Sequence, residues 1–486
     1  MLLSELVRLV PDEVVSHRGD CDVEDLSMDS RRKTGNALFF CISGARFDSH
    51  DFAAQAVQNG ACALAVERYL DLNVPQVLVK NGRKAMTRMA AAFFGDPAKK
   101  LRMIGITGTK GKTTTSYLVK AIMEAAGMKC GLIGTTGNMI GSRYLKSEFT
   151  TPEPIDLHRT LRQMVDEGVE CVSMEVSAHA LAMGRLEGVH FETGCFTNLS
   201  QDHLDLFGTM DAYFACKKSF FDPKWIGNAT VNTDDERAGA ILTGLKVPHM
   251  TYGIAKNADL YARDIEITEN GVSFSATLSG LREMHVRLHL TGMFNVYNAL
   301  AAASVGLIAG LPMDVITSGL ESVVAVPGRA EMLETGTPYK VLLDYSHSPD
   351  ALENILTTVR EFTRGRVICV FGCGGDRDKL KRPIMGEISG RLSDVSILTS
   401  DNPRSEDPYQ ILSDIEEGIV RSGGEYIKIE NRREAIRKAL SIAGDGDLIV
   451  LAGKGHETYQ EIRGVKRPFN EKTVVQELIL QAQKKQ

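Results

Sequence analysis

The apolar run LRMIGITG at Leu101 to Gly108 passes directly into the loop Gly108-Thr109-Lys110-Gly111-Lys112-Thr113, and a helical pattern follows from Thr113 to Ala126. A short apolar run of this kind reads as a strand buried on both faces, which belongs in a parallel sheet covered by helices. A turn of small residues between such a strand and a helix lets backbone N–H groups and the positive helix start surround phosphates. Lys112 then supplies charge to the outer phosphates and Thr113 a hydroxyl for Mg²⁺. The long form of this loop would need Gly at 106, where Ile stands, so the segment is of a shorter G-T-x-G-K-T kind. A plain helix cap would also use a Gly-Lys-Thr start, but the buried strand before it favours a nucleotide loop. Gly127 stands where a left-handed C-terminal cap would end the helix.

A chain of 486 residues exceeds what one core supports, and three units are expected. Residues 1–98 alternate strand-like runs (Ala37 to Ile42, Ala61 to Val66, Gln76 to Val79) with helical stretches such as Asp51 to Asn59, and end at the turn Gly95-Asp96-Pro97. Residues 99–329 hold the phosphate loop and the further strands KCGLIG, VECVSMEV and ETGCFTN. Within that unit Val272, Phe274, Ala276 and Leu278 alternate after Asn270-Gly271, and Val286, Leu288 and Leu290 alternate again, predicting an antiparallel hairpin appended to the sheet. Residues 330–486 carry YKVLLDY, RVICVFG, VSILTS and DLIVLAG, each before a turn, as in a Rossmann-like sheet.

Bulk properties narrow the function. A net charge of -6 gives no basic footprint for nucleic acid. Nine scattered cysteines without a C-x-x-C pair read as reduced thiols of a cytoplasmic protein and not as a zinc site. The start, MLLSELVRLVPDEVV, is broken by Glu5, Arg8 and Asp12 and lacks a signal-peptide core, and no apolar run reaches membrane-spanning length.

Further pieces stand in order along the chain: TTP at Thr150 to Pro152, MEVSAHAL at Met174 to Leu181, TNLSQDHLD at Thr197 to Asp205 and YFACKKSFF at Tyr213 to Phe221. Beyond them come GMFNVYN at Gly292 to Asn298, PGRAE at Pro327 to Glu331, DYSHSPD at Asp344 to Asp350, GCGGDRDKLKRP at Gly372 to Pro383, DNPR at Asp401 to Arg404 and AGKGHE at Ala452 to Glu457. With GITGTKGKTTT around the loop, and DSRR at Asp29 to Arg32 with LFFCISGARFDSHDF near the N-terminus, the chain resembles the Mur ligase family over essentially its whole length. Each piece alone is a weak signal; their order and spacing together are specific.

Some of these residues can be read from their own chemistry. Glu175 ends an apolar strand at the carboxyl edge of the sheet, where a carboxylate can hold Mg²⁺ against phosphates, although a helix-start acid would look the same. Given the resemblance, Arg404 in its turn is the natural cation for a second carboxylate on an incoming amino acid, because guanidinium binds carboxylate through two parallel hydrogen bonds. An exposed turn arginine is the plainer reading.

The resemblance implies the rest. It makes His203 a ligand of a second Mg²⁺ and Lys217 the carrier of a CO₂-derived carbamate; Lys217 is preferred to Lys218 because Tyr213 and Phe221 stand four residues to either side. ATP is expected at Gly108, Thr109, Lys110, Gly111, Lys112, Thr113 and Thr114, with Asn295 and Asn298 toward adenine, Arg329 toward the phosphates, and Asp344 and His347 at the ribose. Ser30, Thr150, Thr151, Ser177 and Arg185 match positions for UDP-N-acetylmuramoyl-L-alanyl-D-glutamate, with Met183 where some members have glutamine. Arg377, Asp401, Asn402, Pro403, Arg404, Gly453 and Glu457 match an amino-acid pocket, for which meso-2,6-diaminopimelate is expected and L-lysine is the alternative. The implied reaction phosphorylates the D-glutamate carboxylate and lets the amine displace phosphate, with Lys112, His203 and Lys217 as the catalytic set, in a cytoplasmic monomer.

Competing classes are less well supported. A folate-using sister ligase lacks a reason for DNPR and GCGGDRD, and a P-loop switch or motor leaves the third unit's motifs unexplained. A dinucleotide oxidoreductase would need glycine where Arg377 stands. A non-catalytic relative would not need Lys112, Thr113, Glu175, His203 and Lys217 together.

Overall fold

A computed structural model describes residues 1–44, 47–145, 147 and 149–483, with the side chain of Asp205 excepted. Residues 45 and 46, within the LFFCISGARFDSHDF match, lie outside the described residues. The strands are β1 Val14–Arg18, β2 Asp25–Ser27, β3 Ala37–Phe40, β4 Ala61–Val66, β5 Gln76–Val79, β6 Arg102–Thr107, β7 Cys130–Gly134, β8 Gly137–Ile140, β9 Arg143–Leu145, β10 Cys171–Glu175, β11 Phe191–Phe196 and β12 Ile226–Asn232. They continue with β13 His249–Gly253, β14 Leu260–Thr268, β15 Gly271–Leu278, β16 Arg282–Leu288, β17 Glu331–Leu333, β18 Lys340–Asp344, β19 Val367–Phe371, β20 Val395–Leu398, β21 Tyr426–Lys428, β22 Leu448–Ala452, β23 Tyr459–Ile462 and β24 Val465–Pro468.

Three main sheets form. The first has the order β1-β5-β4-β3-β2, the second β16-β15-β14-β13-β12-β11-β6-β10-β7-β8-β9, and the third β17-β18-β22-β19-β20-β21. In the second, β6 lies between β10 and β11 and pairs with both in parallel, so the loop after it emerges where the connections diverge to either side. That crevice, beyond the carboxyl ends of parallel strands, is where ligands collect in open α/β sheets. The third sheet is parallel apart from β17, and its last strand, β22, sits between its first two parallel ones.

The helix Lys112–Ala125 after the phosphate loop buries Leu118, Val119, Ile122 and Met123. Each such side chain contributes about 1.5–3 kcal/mol of burial. Its neighbour, Met293–Ile308, is apolar around most of its circumference because it is enclosed between that helix and the sheet, with Val296, Leu300 and Val305 fully buried. Close approach needs a missing side chain: a Cβ at Gly319 would sit 2.5 Å from the Ile122 Cα.

Two edges differ from the sequence reading. The Asn270-Gly271 turn joins β14 to β15, and β16 adds to them, so the appended element is a three-strand meander rather than a single hairpin; Leu290 lies beyond it. At the opposite edge β8 and β9 fold back antiparallel on β7. These are short strands in a glycine-rich stretch without a clear alternation. The helical stretch at Asp51 to Asn59 begins as a tight 3₁₀ turn, Ser49–Phe52, before Ala53–Gln58. No helix among the described residues is long and apolar enough to cross a membrane.

Candidate functional site

The phosphate loop is shaped by two glycines. Gly108 has φ +147 and Gly111 φ +84; a Cβ would lie 1.9 Å from Thr197 Oγ1 at the first and 2.3 Å from Asn298 Oδ1 at the second. The loop is therefore pressed between the TNLSQD and GMFNVYN segments. Thr197 Oγ1 donates to the Lys110 carbonyl (2.7 Å), and the Asn198 side chain accepts from the Lys110 N–H (2.9 Å) and donates to the Lys110 carbonyl (3.1 Å).

Two lysine side chains meet at this loop. Lys112 Nζ donates to the carbonyls of Gly108 (2.9 Å) and Thr109 (2.9 Å), and Lys217 Nζ donates to the same Gly108 carbonyl (2.8 Å). Lys217 is 1% exposed and also lies 4.7 Å from the centre of the Tyr213 ring. Lys218 is half-buried, with its terminal atoms beside Gly244, so of the two lysines only Lys217 reaches the loop. Burial pushes Lys112 down to about 8, against the opposing charges of Glu175 and Asp202, with Lys110 and Arg329 adding smaller downward pushes. Burial and then the Lys112 charge push Lys217 well below the usual lysine range.

Glu175 is buried at the end of β10. The Thr135 N–H donates to its Oε1 (2.8 Å) and the Thr135 hydroxyl to its Oε2 (3.0 Å), and it fills the space where Gly134 lacks a side chain. His203, with φ +55, has its ring 4.6 Å from His179 and 6.0 Å from Tyr213. Burial lowers its pKa, with Asp202 opposing. Asp202 lies 3.7 Å from Lys110; burial alone would raise its pKa, but Lys110, His203, His347 and Lys112 outweigh that and bring it to about 2. Among the described residues, no group of three or more His, Cys, Asp or Glu side chains converges as a ready-made metal cage.

Residues around the start of the third sheet adjoin the loop. Arg329 Nη2 donates to Thr113 Oγ1 (3.0 Å), Lys110 Nζ to Ser348 Oγ (2.8 Å), and Lys381 Nζ to the His347 carbonyl (2.7 Å). Asp344 accepts from the Ala330 N–H (2.8 Å) and the Ser346 hydroxyl, and burial raises its pKa. Burial, Lys110 and Lys381 hold His347 neutral, with a pKa of about 3. Asn295 and Asn298 bond each other (2.9 Å), while Asn295 Nδ2 donates to the Thr291 carbonyl and Asn298 Oδ1 accepts from Thr115. Both asparagines therefore do structural work at the loop.

A second group lies toward the first sheet. Thr151 Oγ1 donates to the Glu175 carbonyl (2.8 Å) and accepts from the Ser177 N–H (3.1 Å), and Arg185 donates to the Thr151 carbonyl (2.9 Å). Thr150 is bonded to Thr135 (3.0 Å). Arg185 also pairs with Glu153 (2.6 Å), which pairs with Arg83 (3.1 Å), and touches the Met183 sulfur at 3.5 Å. Ser177 caps its own short helix, and Ser30 donates to Gln55 (3.1 Å).

A third group gathers where the DNPR and AGKGHE turns meet. Asn402 donates to Glu457 (2.9 Å), and a Cβ at Gly453 would lie 2.7 Å from Asp401 Oδ2. Arg404, with φ +51, donates to the Gly375 carbonyl (2.6 Å) and faces Glu461 at 3.5 Å; Pro403 lies against Gly375. Arg377 is exposed and bonds the Asp376 carbonyl (3.0 Å), on the rim of a shallow depression shared with Lys379 and Glu406.

Three family models match: the Mur ligase family, catalytic domain over residues 22–94, the Mur ligase middle domain over 106–306, and the Mur ligase, glutamate ligase domain over 328–455. A protein of Geobacillus thermodenitrificans named UDP-N-acetylmuramoyl-L-alanyl-D-glutamate--2,6-diaminopimelate ligase is 45% identical over 482 residues, 98% of each chain. One from Clostridium acetobutylicum, with the same name followed by 1, is 43% identical over 99% of each. The chain belongs to the Mur ligase family.

A solved structure of a ligase of that same name has a TM-score of 0.65 at 33% identity and covers 95% of each chain. The fold alone is shared with the Thermotoga maritima MurF ligase, at a TM-score of 0.66 and 18% identity, covering 95% of this chain and 98% of that one.

In this Mur ligase, sequence reasoning missed the bracing residues. Thr135 and Asn198 sit in segments remote in sequence from the groups they hold, Glu175 and Lys110. Asp202, adjacent to His203, could have been found from the TNLSQDHLD piece as a counter-charge for Lys110.

Burial of Lys217 beside Lys112 has a measurable cost. A lysine whose folded pKa lies below its unfolded value of 10.5 destabilises the fold while charged, fully at low pH, and the penalty fades as pH rises toward 10.5. Lys217→Met leaves the Gly108 carbonyl its bond from Lys112. In bicarbonate-free buffer it should melt higher than the parent at pH 7, and the difference should shrink by pH 10; a variant that melts lower at pH 7 contradicts this.

Proposed function

We propose that this chain joins meso-2,6-diaminopimelate to UDP-N-acetylmuramoyl-L-alanyl-D-glutamate, forming an amide bond at the expense of ATP and releasing ADP and phosphate. The observation that carries the reading is full-length identity of 43–45% to relatives bearing that name, combined with a phosphate loop that meets Arg329, just before the third sheet, and Ser348 beyond its strand β18. The three units, bounded at 98 and 329, would hold the nucleotide sugar, ATP and the amino acid respectively, in a cytoplasmic monomer.

The chemistry follows from the placement of charges. Lys112 and the loop N–H groups bind the transferring phosphate, and Arg329, bonded to Thr113, and Lys110 of the same loop add positive charge beside it. Positive charge in a water-poor cavity stabilises the spread-out negative charge of phosphoryl transfer far more than it would in water. The D-glutamate carboxylate, held near Thr150, Thr151, Ser177 and Arg185, attacks to give an acyl phosphate. The amine then displaces phosphate. Groups from the third unit shield the acyl phosphate from water, which would otherwise hydrolyse it.

The donor set suits Mg²⁺: Thr113, Glu175 and a Lys217 carbamate offer hard oxygens, and His203 stands nearby. When bound, the metal ions would neutralise phosphate charge as transfer proceeds. Lys217 fits carbamate formation because its buried amine is held toward the neutral form, the one that reacts with CO₂. The product would place an anion beside the Lys112 ammonium. In ¹³C-bicarbonate the parent and Lys218→Ala should show a protein carbamate resonance and Lys217→Ala should not; a resonance that survives Lys217→Ala refutes the assignment.

For the amine, Arg404 supports diaminopimelate, whose second carboxylate it can bind, over L-lysine. Phosphate release with the UDP-dipeptide, ATP and an amine panel should be fastest with meso-diaminopimelate. Arg404→Ala should lose most of that rate, about 2–5 kcal/mol of recognition, while still binding ATP. Preference for L-lysine by the parent would leave only the wider ligase reading.

A further inference from the structure

We infer that Lys454 is a positioning residue that sets preference for an amine substrate with a distal ammonium, acting through Glu457; this rests on the ligase reading above. Lys454 is completely buried, so it is not itself a substrate contact. Its ammonium donates to Glu457 Oε2 (2.9 Å) and Asn402 Oδ1 (3.1 Å) and lies 3.6 Å from Asp401 Oδ1. Asn402 Nδ2 donates to the same Glu457 Oε2 (2.9 Å), and Asn402 Oδ1 also accepts from the Glu461 N–H (2.9 Å).

One oxygen of Glu457 is thus held by two donors, while Oε1 has no hydrogen-bond partner among the described residues. A carboxylate fixed in this way offers one oxygen in one direction, the condition for recognising a cation by geometry and not by charge alone. The single buried ammonium faces two carboxylates, Asp401 and Glu457. One negative charge is therefore left for a substrate ammonium to meet.

The backbone explains why the lysine points inward. Gly453, with φ +116, presses against Asp401, and the Glu457 N–H bonds the Lys454 carbonyl (2.9 Å), closing a turn that puts both side chains on one side. The fully buried pair Arg432–Glu471 ties the two turns together, since Arg432 donates to the carbonyls of Ala452 (2.9 Å) and Ser400 (3.5 Å).

The test compares kcat/KM for meso-diaminopimelate and for 2-aminopimelate, which lacks the distal ammonium, using the full chain, ATP and the UDP-dipeptide. The parent should prefer diaminopimelate by at least ~10-fold, the scale of a lost desolvated charge contact. Lys454→Met should reduce that ratio to the level of Glu457→Gln, mainly through KM for the amine, with KM for ATP unchanged, and Lys454→Arg should restore part of it. The double variant Lys454→Met/Glu457→Gln should lose no more preference than Glu457→Gln alone. If Lys454→Met does not fold, Lys454→Gln, which keeps a donor without the charge, is read in its place. A folded variant that slows both amines equally and keeps the parental ratio overturns the inference and leaves Lys454 a structural role. Failure of the ligase reading shows separately, as a parent that releases no phosphate with diaminopimelate, and the inference falls with it.

Discussion

The Gly108 carbonyl, shared by the Lys112 and Lys217 side chains, is the contact on which the rest of the site depends. It exists because Gly108 adopts a backbone angle closed to side chains and because Thr197 occupies the space a Cβ would need. The loop is thereby held against β11's following segment on one side and the helix Met293–Ile308 on the other. Charging both lysines at one acceptor carries an electrostatic penalty, which helps hold Lys217 toward its neutral form. A phosphate, or an anion made from one of the lysines, removes it, so ligand binding and relief of repulsion are the same event.

The same logic recurs farther along the chain. Around the DNPR and AGKGHE turns, cations and carboxylates are buried together and paired with one another. Removing one partner from such a set exposes an uncompensated charge, which costs more than the pair contributes when intact. The bond from Lys110 to Ser348 joins the phosphate loop to the segment after β18, Lys381 braces that segment through the His347 carbonyl, and Arg329, just before β17 begins, bonds Thr113.

Much of this was legible in the sequence because it follows from short-range patterns. The strand, loop and helix at 101–126, the parallel sheets and the placement of Glu175 at a strand end all rest on apolar runs and glycine positions within one segment. The choice of Lys217 over Lys218 followed family spacing, whereas the burial of Lys217 follows from which face of its helix meets the loop. What was not legible arises between segments: Thr135 holding Glu175 across 40 positions, Asn198 gripping Lys110 across 88, and the burial of Lys454. The edge strands β8 and β9 and the third strand of the meander depend on pairing with neighbours more than on their own residues. Asn295 and Asn298 show a further limit, since helix-end asparagines that resemble nucleotide contacts also brace the loop.

The central claim is that phosphate passes from ATP to a carboxylate before the amine attacks. It is tested most directly by labelling the D-glutamate carboxylates of the UDP-dipeptide with ¹⁸O and analysing the phosphate released during turnover with meso-diaminopimelate. The account predicts one ¹⁸O in each phosphate, since the carboxylate oxygen that attacked ATP leaves with it. Phosphate without label, formed at the same rate as the amide, would contradict it.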